Sequence, residues 1–303
     1  MKRIAILCTV LALAPAASAA SPTETVTVTA TRPTDQKKLD EVVGSFVDQH
    51  AALDPRTHQL VRDAPNGVCP LVEGLPQAYD DLVQARIVAV ANQIGSSAQD
   101  LATCRPNVEV FFSNQPQTIV DKLVRQTRGN ILGFHWVHDT QALQTVHRPV
   151  EAWYITGSRF DGGVGGMAPV SRDPHKVAID TAYGEGLYTG TGSHLRPRYD
   201  SRIVNVLIVA DTTKVGGLKI GPISDYIALL SLAKARSLDA CTDLPSITDL
   251  LASSCDAREK PETLTAADFA YLKALYAADL TATRSMERED VDHGMAAAVG
   301  GQN

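Results

Sequence analysis

The segment RIVNVLIVAD, residues 202–211, constrains the fold of this chain more than any other. Its apolar residues do not alternate with polar ones, so a strand built from it must be covered on both faces and lie inside a sheet. A second apolar stretch follows directly, GPISDYIALLSLAKARSL at 221–238. Ile223, Ile227, Leu230 and the aliphatic stem of Lys234 fall on one helical stripe, and Tyr226, Leu229 and Leu232 broaden it into a mostly buried helix. A central strand leading into a buried helix predicts an α+β protein, with a mixed twisted sheet packed by helices.

The remaining elements read less sharply. Leu39 to His50 has helical spacing. In GLPQAYDDLVQARIVAVANQIG (74–95), Tyr79, Leu82, Val83, Ile87, Val90 and Ile94 recur at three and four, behind Pro76 and ahead of Gly95 as a C-cap. Val108–Phe112 and Pro149–Ile155 predict strands, Ile131–Phe134 a further one, and Pro116–Arg128 an amphipathic helix. A closing helix starts at Thr265, where Thr265 and Asp268 form a capping box, with an apolar face of Phe269, Leu272, Leu275, Tyr276 and Leu280. Residues 157–200 carry nine glycines and no sustained periodicity, which predicts a long excursion with a hairpin near Val177–Tyr183.

The N-terminus predicts export. Lys2 and Arg3 precede a short apolar run, Ile4–Pro15, and Ala17-Ser18-Ala19 offers the small-x-small pattern of signal-peptidase cleavage. That run is too short to span a bilayer, and no later one is long enough. Cleavage near Ala19 removes two of the 28 basic residues and none of the 34 acidic ones, moving the net charge from −6 to −8. An acidic chain without clustered Lys and Arg is a poor partner for nucleic acid. Four cysteines then remain, Cys69, Cys104, Cys241 and Cys255, and an even number in an exported chain predicts two disulfides. Three pairings are open. Cys69–Cys104 with Cys241–Cys255 is preferred, because each pair brackets a compact segment; the second closes a loop worth about 3 kcal/mol in the chain-entropy model. No CxxC occurs, which weighs against zinc held by all four thiolates. The organisation expected is a signal peptide at 1–19, a disordered leader at 20–38, one globular domain at 39–290 and a flexible tail at 291–303. The location expected is periplasmic or secreted.

The order of elements in the last hundred residues resembles the zincin metalloproteases, especially the metzincin branch. The strand NVLIVAD, the helix SDYIALLSL, the turn segment LPSITDLL (244–251) and LTAADFAYLKALY (264–276) follow in the zincin order. The chain also resembles a family of exported bacterial proteins of unknown function through CP…GLP, CRPNV…F, PVEAWY, DYIAL and YLKALY. That second resemblance implies no activity. Aligning LSL (230–232) with the LGL of the zinc motif puts Ser224 and Ala228 at the first two histidine positions, and Asp225 at the glutamate. Ser231 falls on the motif glycine and Lys234 on the third ligand. Serine is a poor zinc ligand, alanine is none, and an ammonium repels the ion. The resemblance therefore implies a pseudoenzyme: no catalytic residue, no metal and no cofactor, with Ser224, Asp225 and Ala228 at the floor of a cleft.

Other chemistry-bearing residues are dispersed. Arg159, Arg172, His175, His194, Arg196 and Arg198 make the 157–200 excursion locally cationic, a candidate ligand loop for an anionic group. If a hydrolase were hidden here, its metal ligands would come from His135, His138, His147, His175 and His194, or a metal-free site would assemble around Asp225. No G-x-S-x-G elbow or G-K-[ST] phosphate loop occurs, and GEGLYTG (184–190) has no following helix to receive a pyrophosphate. In the leader, TETVTVTATR (Thr23–Arg32) resembles the energy-coupling box of TonB-dependent receptors, which implies an extended strand added to a TonB-type partner's sheet. The function expected is an exported, non-catalytic binding or envelope-associated module for a small molecule or protein. The alternatives are a peptidase-like hydrolase and an accessory of TonB-linked transport.

Overall fold

The computed structural model describes residues 36–54, 58–63, 67–99, 101–127, 130–133, 143–160, 199–241, 243–255, 260–279 and 282–301. The segments read as a signal peptide, a TonB-like box and a hairpin, with most of the 157–200 excursion, lie outside the described residues. The architecture is α+β, as expected: a mixed sheet packed by helices, with Cys69–Cys104 and Cys241–Cys255 paired. Their Cα separations of 6.2 and 5.6 Å suit disulfides.

Chain order runs α1 (Gln36–His50), β1 (Arg62–Asp63), β2 (Pro70–Glu73), α2 (Gln77–Gln93), β3 (Val108–Ser113) and α3 (Pro116–Thr127). It continues with β4 (Val150–Phe160), β5 (Tyr199–Asp211), α4 (Thr212–Val215), α5 (Ile220–Leu232), α6 (Ala266–Ala277) and α7 (Arg284–Gly300). The central strand is β5. It pairs in parallel with β3 from Val206 to Asp211 and with β1 at Arg202–Ile203, and antiparallel with β4 along its other side. β2 continues the parallel set beyond β3.

The expectation for RIVNVLIVAD is met, since Val206, Leu207, Ile208, Val209 and Ala210 are all 0–1% exposed. Val206, Ile208 and Ala210 face a large core shared with α1, α2, α5, α6 and α7. Leu207 and Val209 face a smaller core with Trp153, Val120 of α3 and Leu132. This is the two-residue alternation of a strand with an apolar layer on each side. Gly74, at φ +113°, makes the turn from β2 into α2; a Cβ there would lie 2.1 Å from the Phe112 carbonyl oxygen.

Several boundaries differ from expectation for identifiable reasons. Residues 36–38, assigned to the leader, already belong to α1. The 291–303 tail is not free: residues up to Gly300 form α7, and Val291 and Met295 are 0% exposed in the large core. In α2, Val83, Ile87 and Val90 are buried, whereas Leu82 is 42% exposed, one residue and about 100° away from Val83. Tyr79, in the first turn of α2, is also exposed, at 49%. Asn130–Leu132 is a 3₁₀ turn and not the start of a strand. Helix α5 stops at Leu232, because Ala233 turns extended and bridges to Arg62 while the Lys234 carbonyl accepts from Ala52 N at 3.0 Å. The capping box at Thr265 and Asp268 forms as read.

Candidate functional site

Every residue of α5 from Pro222 to Leu232 is buried, so the helix is core all round. β5 delivers the chain to it through Asp211, whose carboxylate caps α4 by accepting from Thr213 N at 3.0 Å. On α5, the Ser224 hydroxyl donates to its own helix at the Ile220 carbonyl, 2.7 Å away. Ala228 is 0% exposed, Ser224 1% and Asp225 3%. The cleft expected over Ser224, Asp225 and Ala228 is thus replaced by packed interior. The reason is in the sequence: a helix with apolar residues on every side is covered on every side.

Asp225, which the sequence alignment set at the glutamate of the zinc motif, is fully engaged inside the fold. Arg86 of α2 donates to it twice, from Nε to Oδ1 and from Nη2 to Oδ2 at 3.0 Å. Leu264 N, just ahead of α6, donates to Oδ2 at 2.7 Å. One carboxylate therefore ties α2, α5 and the entry to α6 together, and its charge is met by a bidentate guanidinium. A general base needs a lone pair aimed at substrate or water; these oxygens are aimed at a guanidinium and an amide. Lys234, the third motif position, lies beyond the helix end, with its ammonium 5.9 Å from the Tyr154 ring centroid. Burial lowers the pKa of that ammonium, and the Asp54 carboxylate opposes the shift. Neither the donor set nor its packing fits a zinc ion.

A second polar cluster was not anticipated. His50, at the end of α1, stacks on Phe46 with ring centroids 4.0 Å apart. Its Nδ1 lies 2.8 Å from the Phe46 carbonyl and its Nε2 lies 3.0 and 3.1 Å from the hydroxyls of Ser246 and Thr248. The carbonyl requires a proton on Nδ1, which makes Nε2 the acceptor. The Ser246 hydroxyl gives its one proton to Asp268 Oδ1 at 2.6 Å, which leaves the Thr248 hydroxyl as the donor to Nε2. Asp268 Oδ2 accepts from Ile247 N, Thr265 N and Thr265 Oγ1 at 2.9, 2.8 and 3.0 Å. Serine, histidine and aspartate are present, but the serine sits between acid and base, and all three are 0–1% exposed. A triad needs the acid on the imidazole and the serine open to substrate. This cluster instead fastens α1 to the turn before α6. Burial holds the His50 imidazole down at about 4, against the upward pull of the Phe46 carbonyl and Asp249. Burial pushes the Asp268 carboxyl up to about 6, against four hydrogen bonds that favour its ionised form.

The other expected residues are not brought to this region. Arg172, His175, His194, Arg196 and Arg198 lie outside the described residues, as do His135 and His138. Arg159 stands on β4 in register with Asp200 of β5. His147 is exposed, with its backbone N–H donating to Glu151. A groove of about 320 Å³ runs between α1 and α7, with Asp40, Arg288, Glu289 and Asp292 in its lining. Arg288 there is bonded to Asp292, Asp48 and the Gly44 carbonyl, which makes it a clamp between the two helices.

Arg86 and His50 escaped the sequence reading because their partners lie 139 and 196 residues away. The Ser246–Asp249 capping box was the one local signal, a Ser-x-x-Asp run like that at Thr265. No protein-family model matches the chain, and no curated protein and no solved structure matches it either.

Proposed function

We propose that this protein is an exported, non-catalytic binding module that keeps the element order of a zincin and has given the zinc-binding face over to its core. The observation that carries the reading is Asp225, the one retained carboxylate of the motif, held by Arg86 and Leu264 N. The succession β5, α5, the Ser246 turn and α6 supports the zincin-like order. Two cysteine pairs support export, and among the described residues no helix is long and apolar enough to cross a membrane. Binding falls to the cationic excursion that β4 and β5 lead into, with an anionic group as ligand. Zinc retention by the disulfide-intact protein tests the reading, and none is expected.

The leader favours a second reading. Its alternating Val and Thr at Thr23–Arg32 suit strand addition to a TonB-type partner. A peptide of residues 20–38 is then expected to bind the periplasmic domain of such a protein, measured by fluorescence anisotropy. No binding at saturating partner disposes of the idea.

A further inference from the structure

Cys241, Asp249 and Cys255 come from separate places between α5 and α6, yet their sulfur and carboxylate atoms all lie within 4.8 Å of one another. Asp249 is fixed by the Ser246 capping box, in which its Oδ2 accepts from Ser246 N at 3.2 Å. Its Oδ1 stands 3.3 Å from Cys255 Sγ. Asp249 and Cys255 are 2% and 1% exposed, while Cys241 is half-buried. Lys260 Nζ reaches back to this turn and donates to the carbonyls of Asp249 and Ala252 at 2.9 and 3.1 Å. Ser254 Oγ lies 3.9 Å from both sulfurs.

In the disulfide the two sulfurs are bonded to each other and carry no charge. We propose that reduction of Cys241–Cys255 opens a site for a soft divalent cation such as zinc, held by two thiolates and the Asp249 carboxylate. A dithiol is the reductant. One of its thiolates attacks Sγ of Cys241, the less buried of the two, the S–S bond breaks, and Cys255 leaves as a thiolate. The second thiol of the reductant then displaces Cys241, so two electrons and two protons pass to the protein and the reductant becomes a disulfide. Binding of the cation releases both thiol protons.

The chemistry of the donors fits. Zinc takes sulfur at about 2.3 Å and carboxylate oxygen at about 2.0–2.2 Å, so its ligands crowd within a few ångströms of each other, as these atoms do. Two thiolates, one carboxylate and a divalent cation leave one negative charge, and the Lys260 ammonium held on the Asp249 and Ala252 carbonyls balances it. The half-buried Cys241 side leaves the fourth position to water. This site is independent of the reading of Asp225, because it exists only after reduction and shares no residue with that position.

The test is a cadmium titration of the mature chain carrying Cys69→Ser and Cys104→Ser, reduced with a phosphine and followed by sulfur-to-cadmium charge-transfer absorption. The expected result is a band that saturates at one equivalent, is absent from the oxidised protein and is lost in urea. Asp249→Asn keeps an oxygen for the Ser246 cap while removing the anionic ligand. It is expected to weaken binding by at least about tenfold, the lower bound for changes that merely surround a metal. Cys241→Ser should lose the saturating band. No band in the reduced protein overturns the proposal. So does a band that persists in urea, or one that Asp249→Asn leaves equally tight, since any flexible dithiol would give it.

Discussion

Arg86→Ala is expected to lower the free energy of unfolding by about 3–5 kcal/mol, because it strands a buried carboxylate. The Asp225 side chain is 4% exposed and that of Arg86 29%, so water reaches the cation more easily than the anion. The loss therefore belongs at the lower end of that range. Leu264 N would remain as a donor to Asp225, and one amide does not balance a full charge. Arg86→Lys should recover only part of the loss, since an ammonium cannot offer two parallel N–H groups. Asp225→Asn added to Arg86→Ala should recover stability by removing the stranded charge. Urea melts with an unchanged m value read all three. A loss below about 0.5 kcal/mol for Arg86→Ala, the size of a solvated surface pair, would mean that Asp225 is open to water and the packed face is an error.

The second large effect is expected at Asp268. Asp268→Ala leaves the Ile247 and Thr265 amides without their acceptor. At about 1–3 kcal/mol for each unsatisfied buried group, the loss is about 2–6 kcal/mol at neutral pH. The hydroxyls of Ser246 and Thr265 add less, because they can rotate, and Thr265 already reaches the Pro245 carbonyl at 2.8 Å.

Acid titration should expose the two buried groups separately. Asp268 goes from 3.8 in the unfolded chain to about 6 in the fold. Between those values the fold keeps a proton that the unfolded chain has released. The contribution of Asp268 to stability is therefore present at low pH and lost as pH rises through about 6. His50 goes from 6.5 to about 4, so the unfolded chain binds the extra proton and its contribution grows as pH rises from about 4 to 6.5. The two slopes oppose each other. His50→Gln should leave a stability that falls between pH 4 and 6, and Asp268→Asn one that rises, each by about 3 kcal/mol. Parallel pH profiles for both variants and the parent would show that these groups are not buried as described.

How far the sequence predicted this molecule depended on how local each cause was. RIVNVLIVAD and the α5 helix declare their burial through composition, and the Thr265 capping box lies within four residues. The preferred cysteine pairs, 35 and 14 residues apart, were likewise readable as compact loops. The partners of the expected site were not legible: nothing near Asp225 in the chain announced Arg86 or Leu264. The cleft expectation failed because a motif alignment assigns positions along a helix and cannot weigh the layer that α2 and the α6 entry add over it. The last helix was missed for a related reason: SMEREDVDHGM looks solvated until Val291 and Met295 meet the core beside α1, and Glu287 accepts from Leu60 N at 3.1 Å.

The most direct test of the central claim is the zinc content of mature, disulfide-intact protein, purified without a histidine tag and dialysed against metal-buffered solution. A helix packed as core on every side, with its carboxylate paired to Arg86, predicts far less than one zinc per chain, unchanged by Asp225→Asn. Near-stoichiometric zinc that disappears in Asp225→Asn would contradict it, and would return Asp225 to the floor of a working site.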